Sequence, residues 1–423
     1  MRVLFVTNPE KTIFRYLVPL AWALRTAGHE VRFAAQPDFA DTITEAGLTA
    51  LPVGRNRDQW RLAGLDPDQA EAERAGIPEP YDILEHPEKE SLEYLRSGYQ
   101  VAVRHWHKME TFPLVSQLVE FARHWQPELV LWEPTAYAGA VAAKAVGAAH
   151  GRLLFGIDVF GAVRQRHLEL MKEQDGPAGV DDPLREWLAS YGRAYGFEFS
   201  EDLTTGHFTV DQLPRSLQID SGLDYERVRF VPYGGKAEVP RWLWEAPKRP
   251  RVALTMGLSA TEVYSGYTIS VQDVLSALGD LDIEVVATVA ESEQRRLTHV
   301  PDNARLVSYV PWHALVPTCD VVIHHAGAAT LATTSLTPVP QLALHYHYDQ
   351  PLLGRLLAAT GAGLEIHTSQ ATGENVRDAV QRLLKDPSFR QGAARLTDEI
   401  RALPTPNELV PRLEELTRIH ATR

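Results

Sequence analysis

The chain opens with an apolar run over residues 2–7, continues through a polar loop, and then carries apolar positions at helical spacing over 17–27. That is the pattern of strand, loop and helix. Gly28 stands where a helix needs a left-handed cap, and residues 29–35 read as a second strand. Helix is predicted over 41–47, strand over 48–53, helix around 90–108 and 112–125, and a buried strand over 128–132. The second half begins the series again, with strands at 251–256, 283–290, 304–310, 321–324 and 341–344. Helices are predicted between and after them, at 271–279, 312–318, 328–336 and 350–360. Strands alternating with helices predict an α/β fold of two doubly wound, Rossmann-like domains, each built on a parallel sheet. Residues 233–250, with three prolines and two adjacent glycines, suit a hinge between the units. The expected division is 1–235, a linker at 236–250, 251–400, and a final amphipathic helix within 401–423 that packs back across the domains. Two such domains facing each other leave a cleft at the C-terminal ends of both sheets, where ligands bind in these folds.

Composition narrows the function classes. A length of 423 residues, 44% hydrophobic and 23% charged, suffices for two full cores and excludes disorder. The net charge of −13, with no basic run, disfavours nucleic acid and anionic membranes and leaves small molecules or proteins as partners. The single cysteine, Cys319, excludes an intramolecular disulfide framework and a cysteine zinc site. No stretch approaches about 18 uninterrupted apolar residues, so no membrane span is expected and the protein reads as cytoplasmic.

Candidate chemistry concentrates in 321–330 (VVIHHAGAAT), an apolar strand running through small residues into a helix. Small residues let a helix N-terminus approach a diphosphate, where free amides and the helix dipole favour negative charge. His325 and Thr330 flank the turn as side-chain donors, with Gly327 and Ala328 at its centre. Only one glycine is present, so this is neither a Walker loop nor a dinucleotide fingerprint, and a plain packing turn is the bland alternative. Gly257 and Ser259 follow the strand at 251–256 and offer a second close approach and a hydroxyl. Tyr309 and Val310 end the strand that starts at 304, where an aromatic ring can stack on a nucleobase.

These residues resemble a known family. HHAGAAT resembles the donor motif of GT-B glycosyltransferases, and 309–315 (YVPWHAL) resembles the stretch that holds the nucleotide base. Residues 17–31, 129–134, 211–214 and 411–417 are similar to bacterial enzymes that attach deoxyaminosugars to macrolides and related polyketides. The resemblance implies an inverting transferase that moves a deoxysugar from a thymidine diphosphate (TDP) sugar to a polyketide aglycone, macrolide or aromatic. It implies an N-terminal acceptor domain and a C-terminal donor domain. It implies no cofactor and no metal. Asp349 and Gln350 match the acidic-amide pair that holds donor-sugar hydroxyls; an N-cap followed by a surface residue is the bland reading. A narrower spaced motif, His150, Arg152, Asp158, Arg164, Asp182, Trp187 and Glu201, within about 150–206, resembles the subgroup of desosaminyl and mycaminosyl transferases. Members of that subgroup use an auxiliary protein similar to a haem-less cytochrome monooxygenase, which implies a homodimer or a hetero-oligomer with that helper. The same residues also read as salt-bridged helices.

Inverting transfer needs a group to receive the acceptor's proton and donors to neutralise the leaving diphosphate. Where the family usually has a histidine, this chain has Ile13, which takes no proton. Glu10 in the same loop and Glu133 after the strand at 128–132 are the candidate substitutes, with His105 and His107 as further options. An acidic phenol or activated carbon acceptor would lessen the need for a base. Ala326 and Ala329 replace family glycines, and Pro338 another. These departures also motivate a different reading, a noncatalytic nucleotide- or polyketide-binding protein, and the two-domain architecture admits a nucleotide-sugar 2-epimerase.

Overall fold

A computed structural model describes residues 1–57, 74–174, 182–257 and 266–422. Seven parallel strands form the first sheet: β1 (Arg2–Val6), β2 (Glu30–Ala35), β3 (Ala50–Pro52), β4 (Leu129–Trp132), β5 (Ala149–Leu153), β6 (Phe208–Asp211) and β7 (Tyr225–Arg227). Their order is β3-β2-β1-β4-β5-β6-β7. Six more form the second: β8 (Arg251–Thr255), β9 (Glu284–Thr288), β10 (Ala304–Val307), β11 (Val321–His324), β12 (Gln341–His345) and β13 (Gly363–His367), ordered β10-β9-β8-β11-β12-β13. The central strands are apolar runs buried on both faces, as expected where helices cover both sides of a parallel sheet.

Strand order reverses beside β1 and beside β8, and each reversal opens a crevice at the C-terminal strand ends. Register decides what enters it. Val6 pairs with Trp132, which sets Asn8 next to Glu133. His324 pairs with Thr255, which sets His325 next to Gly257.

Eight helices matter below: α1 (Lys11–Thr26), α2 (Lys108–Trp125), α3 (Val159–Gln174), α4 (Pro183–Tyr195), α5 (Ala328–Ser335), α6 (Gln350–Ala359), α7 (Pro387–Ala402) and α8 (Pro406–His420). The sequence pattern predicts separate helices around 90–108 and 112–125. The structure instead runs continuously from Leu92 to Trp125 through a π turn at Val103–His107. Strands β5, β6, β7 and β13 lack the apolar runs that mark the others. β5, for example, reads AHGRL yet is wholly buried.

The two units touch at several points. Gly76 N–H donates to the Tyr346 carbonyl (3.0 Å), and Ser216 N–H and Oγ donate to Glu399 on α7 (3.1 and 2.6 Å). Helix α8 leaves the second unit and places Leu409, Val410, Leu413 and Leu416 in the same core as α1 and β1.

Candidate active site

On the donor side, β11 ends in a turn that His324 holds. Ala326 N–H donates to His324 Nδ1 (3.0 Å), His324 Nε2 meets Gln341 Oε1 (2.8 Å), and Gln341 Nε2 donates to Ser335 Oγ (3.0 Å). Burial pushes His324 down to about 4, so the ring is neutral and both nitrogens keep fixed roles. Ala326 sits at φ +61°, a left-handed conformation that costs an alanine roughly 1 kcal/mol. Gly327 then caps α5 without any side-chain bond, leaving the first amides of the helix free for an anion.

The His325 ring lies between two glycines. A Cβ on Gly257, whose φ is +76°, would fall 2.7 Å from Cε1, and one on Gly327 would fall 2.3 Å from Nε2. Burial, then the neighbouring His324 and His347, push His325 down to about 3, so it meets a ligand as a neutral imidazole. Thr330 is half-buried on the first turn of α5. Tyr309 is 47% exposed, whereas Val310 is a core residue, and Trp312 Nε1 donates to Thr334 Oγ1 on α5 (2.9 Å). Ser259 lies outside the described residues.

Asp349 precedes α6 but makes no side-chain cap bond. Its Oδ2 instead accepts from Ile157 N–H across the cleft (3.2 Å), and burial pushes its carboxyl up to about 7. Gly156 makes the close approach possible, since a Cβ there would lie 2.4 Å from that oxygen and 3.7 Å from Ala328 Cβ. Gln350 Oε1 accepts from the Tyr346 and His347 amides (3.3 and 3.1 Å), so it shapes the loop between β12 and α6.

On the opposite wall, Glu133 is fully buried. Its Oε1 accepts from Asn8 N–H (3.3 Å), Asn8 Nδ2 (3.0 Å) and Thr135 Oγ1 (2.9 Å), and its Oε2 from Thr135 N–H (2.8 Å) and Oγ1 (2.9 Å). Desolvation outweighs these bonds and pushes Glu133 up to about 7. Asn8 Nδ2 also donates to Glu110 Oε2 (3.2 Å), a residue that sequence patterning does not single out. Glu110 is half-buried at the start of α2, and burial together with the Glu133 charge pushes it up to about 8. Tyr348, at φ +50°, faces this pair from the second unit, and burial and the Asp349, Glu133 and Glu110 charges raise its phenol well above the usual range. Glu10 has a different post: it caps α1, accepting from Thr12 N–H (3.3 Å) and Oγ1 (3.0 Å). Ile13 is half-buried beside it. His105 is exposed, and His107 is buried against Tyr81 Oη (2.6 Å) and pushed down to about 3.

Residues 22–257 match the family described as erythromycin biosynthesis protein CIII-like, N-terminal domain, and residues 272–416 match its C-terminal domain. The chain is a CIII-like glycosyltransferase of GT-B fold. It is 44% identical to the 10-deoxymethynolide desosaminyltransferase of Streptomyces venezuelae over 99% of this chain and 98% of that enzyme. It is 43% identical to the aklavinone 7-beta-L-rhodosaminyltransferase of Streptomyces galilaeus over 100% and 97%. Among solved structures, it superposes on the glycosyltransferase VinC in complex with dTDP at a TM-score of 0.86, with 35% identity over 99% of this chain and 100% of that one.

In this CIII-like glycosyltransferase the seven spaced motif residues form inward networks. Arg152 and Asp158 are both fully buried and share a bidentate pair (2.9 and 2.6 Å). Arg164 grips Asp182 (3.0 and 2.7 Å) and Glu201 (3.0 and 2.7 Å), tying α3 to α4. His150 Nε2 meets Asp202 Oδ2 (3.0 Å), and Trp187 packs against His107 and Tyr137. Only Glu201 reaches solvent, with 41% of its side chain exposed. His150, Asp202 and His207 form the one three-residue group of potential metal ligands among the described residues, and the Lys144 ammonium already lies 2.9 Å from Asp202 Oδ2. No described helix is long and apolar enough to cross a membrane.

Proposed function

We propose that this glycosyltransferase moves an aminodeoxysugar from a TDP-sugar to a polyketide aglycone with inversion at the anomeric carbon. The observation that carries the reading is the α5 N-terminus, framed by His325, Gly327 and Thr330, set against the carboxylate-lined ends of β1 and β4. The free amides and the neutral imidazole donate hydrogen bonds to the departing diphosphate, and Tyr309 and the backbone at Val310 receive the base. Asp349 and Gln350 border the sugar; the Asp349 link to Ile157 joins the two walls when the cleft is closed. Exposed Met109 and Phe112, three residues apart on α2, offer apolar surface to an aglycone. The curated relatives act on macrolide and aromatic polyketides, which supports this acceptor class.

An auxiliary protein fits the same reading. The motif residues are buried, so a helper acts on the helices they hold, α3 and α4, and touches Glu201 alone among the seven. Calorimetry with TDP tests the donor assignment: wild-type affinity in the micromolar range is expected, and His325→Ala is expected to weaken it by about tenfold, in line with loss of a buried charge-assisted hydrogen bond. Equal TDP affinity in the variant would count against this pocket. Transfer measured with and without a haem-less cytochrome relative tests the helper.

A further inference from the structure

We propose that Glu110 is the group that takes the acceptor's proton, with Glu133 as the sealed carboxylate behind it and Asn8 as the clamp between them. The inference rests on the transferase reading above. One amide nitrogen, Asn8 Nδ2, donates to Glu110 Oε2 (3.2 Å) and to Glu133 Oε1 (3.0 Å), so the two carboxyls share a hydrogen-bond donor 102 and 125 residues away in the chain. Glu133 has no solvent exposure and both its oxygens are occupied by Asn8 and Thr135, so it cannot reach a substrate hydroxyl. Glu10 is occupied in capping α1, and Ile13 has no basic atom. Glu110 alone of these residues combines a carboxylate, a place in the cluster and partial exposure.

A second observation points the same way. The π turn at Val103–His107 widens the helix immediately before α2. One extra residue per turn rotates everything after it by roughly 100° relative to the preceding helix, and such turns recur at functional sites. Glu110 lies three residues after that turn, on the side of α2 that meets Asn8.

The step balances simply. As the acceptor oxygen bonds to the anomeric carbon, its proton passes to Glu110 and the bond from that carbon to the diphosphate oxygen breaks, TDP leaving with the electron pair. Glu110 then returns the proton to solvent. The groups facing it are Glu133, Asn8 and Thr135 from the strand ends, Trp106 from the π turn, Arg57 after β3, and Tyr348 from the second unit. Burial and the Glu133 charge raise its proton affinity, while Arg57 and the Trp106 and Thr135 bonds lower it, leaving a group poised near neutrality.

The test uses the full-length protein in two arms. In the first, protein labelled with carboxyl-¹³C glutamate is titrated by NMR, with Glu110→Gln to assign the signal. A midpoint near neutral pH that falls by a pH unit or more in Glu133→Gln is expected; a midpoint in the ordinary carboxylate range overturns the proposal. In the second, turnover is measured in the presence of a haem-less cytochrome relative, with TDP-daunosamine and each of 10-deoxymethynolide, aklavinone and tylactone. Glu110→Gln is expected to lower kcat at least a hundredfold with the KM for donor unchanged, and formate is expected to restore part of the rate in Glu110→Ala but not in Glu133→Ala. A Glu110→Gln enzyme within threefold of the wild type overturns the role of Glu110 and leaves the transferase reading standing. A wild type that binds TDP but turns over none of the three acceptors overturns the reading on which that role depends.

Discussion

At the scale of single residues, the donor turn is built on the absence of side chains. His325 fits because Gly257 and Gly327 offer only hydrogen where a Cβ would collide with its ring. Gly327→Ala is therefore expected to displace the imidazole and reduce TDP affinity by at least tenfold, readable by calorimetry, while far-ultraviolet circular dichroism stays unchanged. Neighbouring Ala326 tolerates its left-handed backbone because its amide has a fixed partner in His324. His324→Ala removes that partner and leaves the buried Gln341 Oε1 without its donor. A loss of about 1–3 kcal/mol is expected in denaturant melts.

Among the secondary elements, α3 and α4 depend on charge as much as on apolar packing. Arg164 and Asp182 are both 1% exposed, so removing one partner strands the other in a poorly solvated site. Asp182→Asn is expected to destabilise the protein by about 3–5 kcal/mol, measured by urea unfolding. Burial alone would raise the Asp182 carboxyl, but the Arg164 hydrogen bond and charge hold it below the usual range. A depressed acid contributes stability above its unfolded pKa and loses it as pH falls, so this variant should also flatten the acid limb of the stability curve. The same buried charges explain which elements the sequence reveals. Apolar runs such as LVLW and VVIH announce β4 and β11, and the small residues after β11 announce the donor turn. β5 stays hidden because His150 and Arg152 look like surface residues until Asp202 and Asp158 arrive from elsewhere in the chain. Glu110 stays hidden for a related reason: a π turn leaves no mark in hydrophobic spacing, and Asn8 lies 102 residues away.

Across the described residues, four carboxyls, three of them buried and Glu110 half-buried, have raised proton affinity: Glu110 at about 8, and Glu133, Asp211 and Asp349 at about 7. Desolvation is the leading cause in each. An acid whose folded pKa is raised contributes stability at low pH and loses it as pH rises through the folded value. Buried histidines pull the other way, since His107, His150, His324 and His325 are pushed down to about 3–4 chiefly by burial. Their stabilising effect is complete above the unfolded histidine value of about 6.5. Of these two sets the carboxyls alone act on the alkaline side, and the apparent Tm is expected to fall from about pH 6.5 to about pH 8. A fluorescence melt across that range checks this, and Asp349→Asn should reduce the slope, because it removes one of the four groups and keeps an acceptor for Ile157.

Helix α8 supplies four apolar side chains to a core whose other members begin at residue 3. During synthesis the first domain thus cannot seal its interior when its own sheet is complete; it waits until residues 406–420 have emerged, after the entire second domain. Until then, the face of α1 and β1 that α8 covers is open to water and to other chains, the kind of long-range closure that slows folding and invites aggregation.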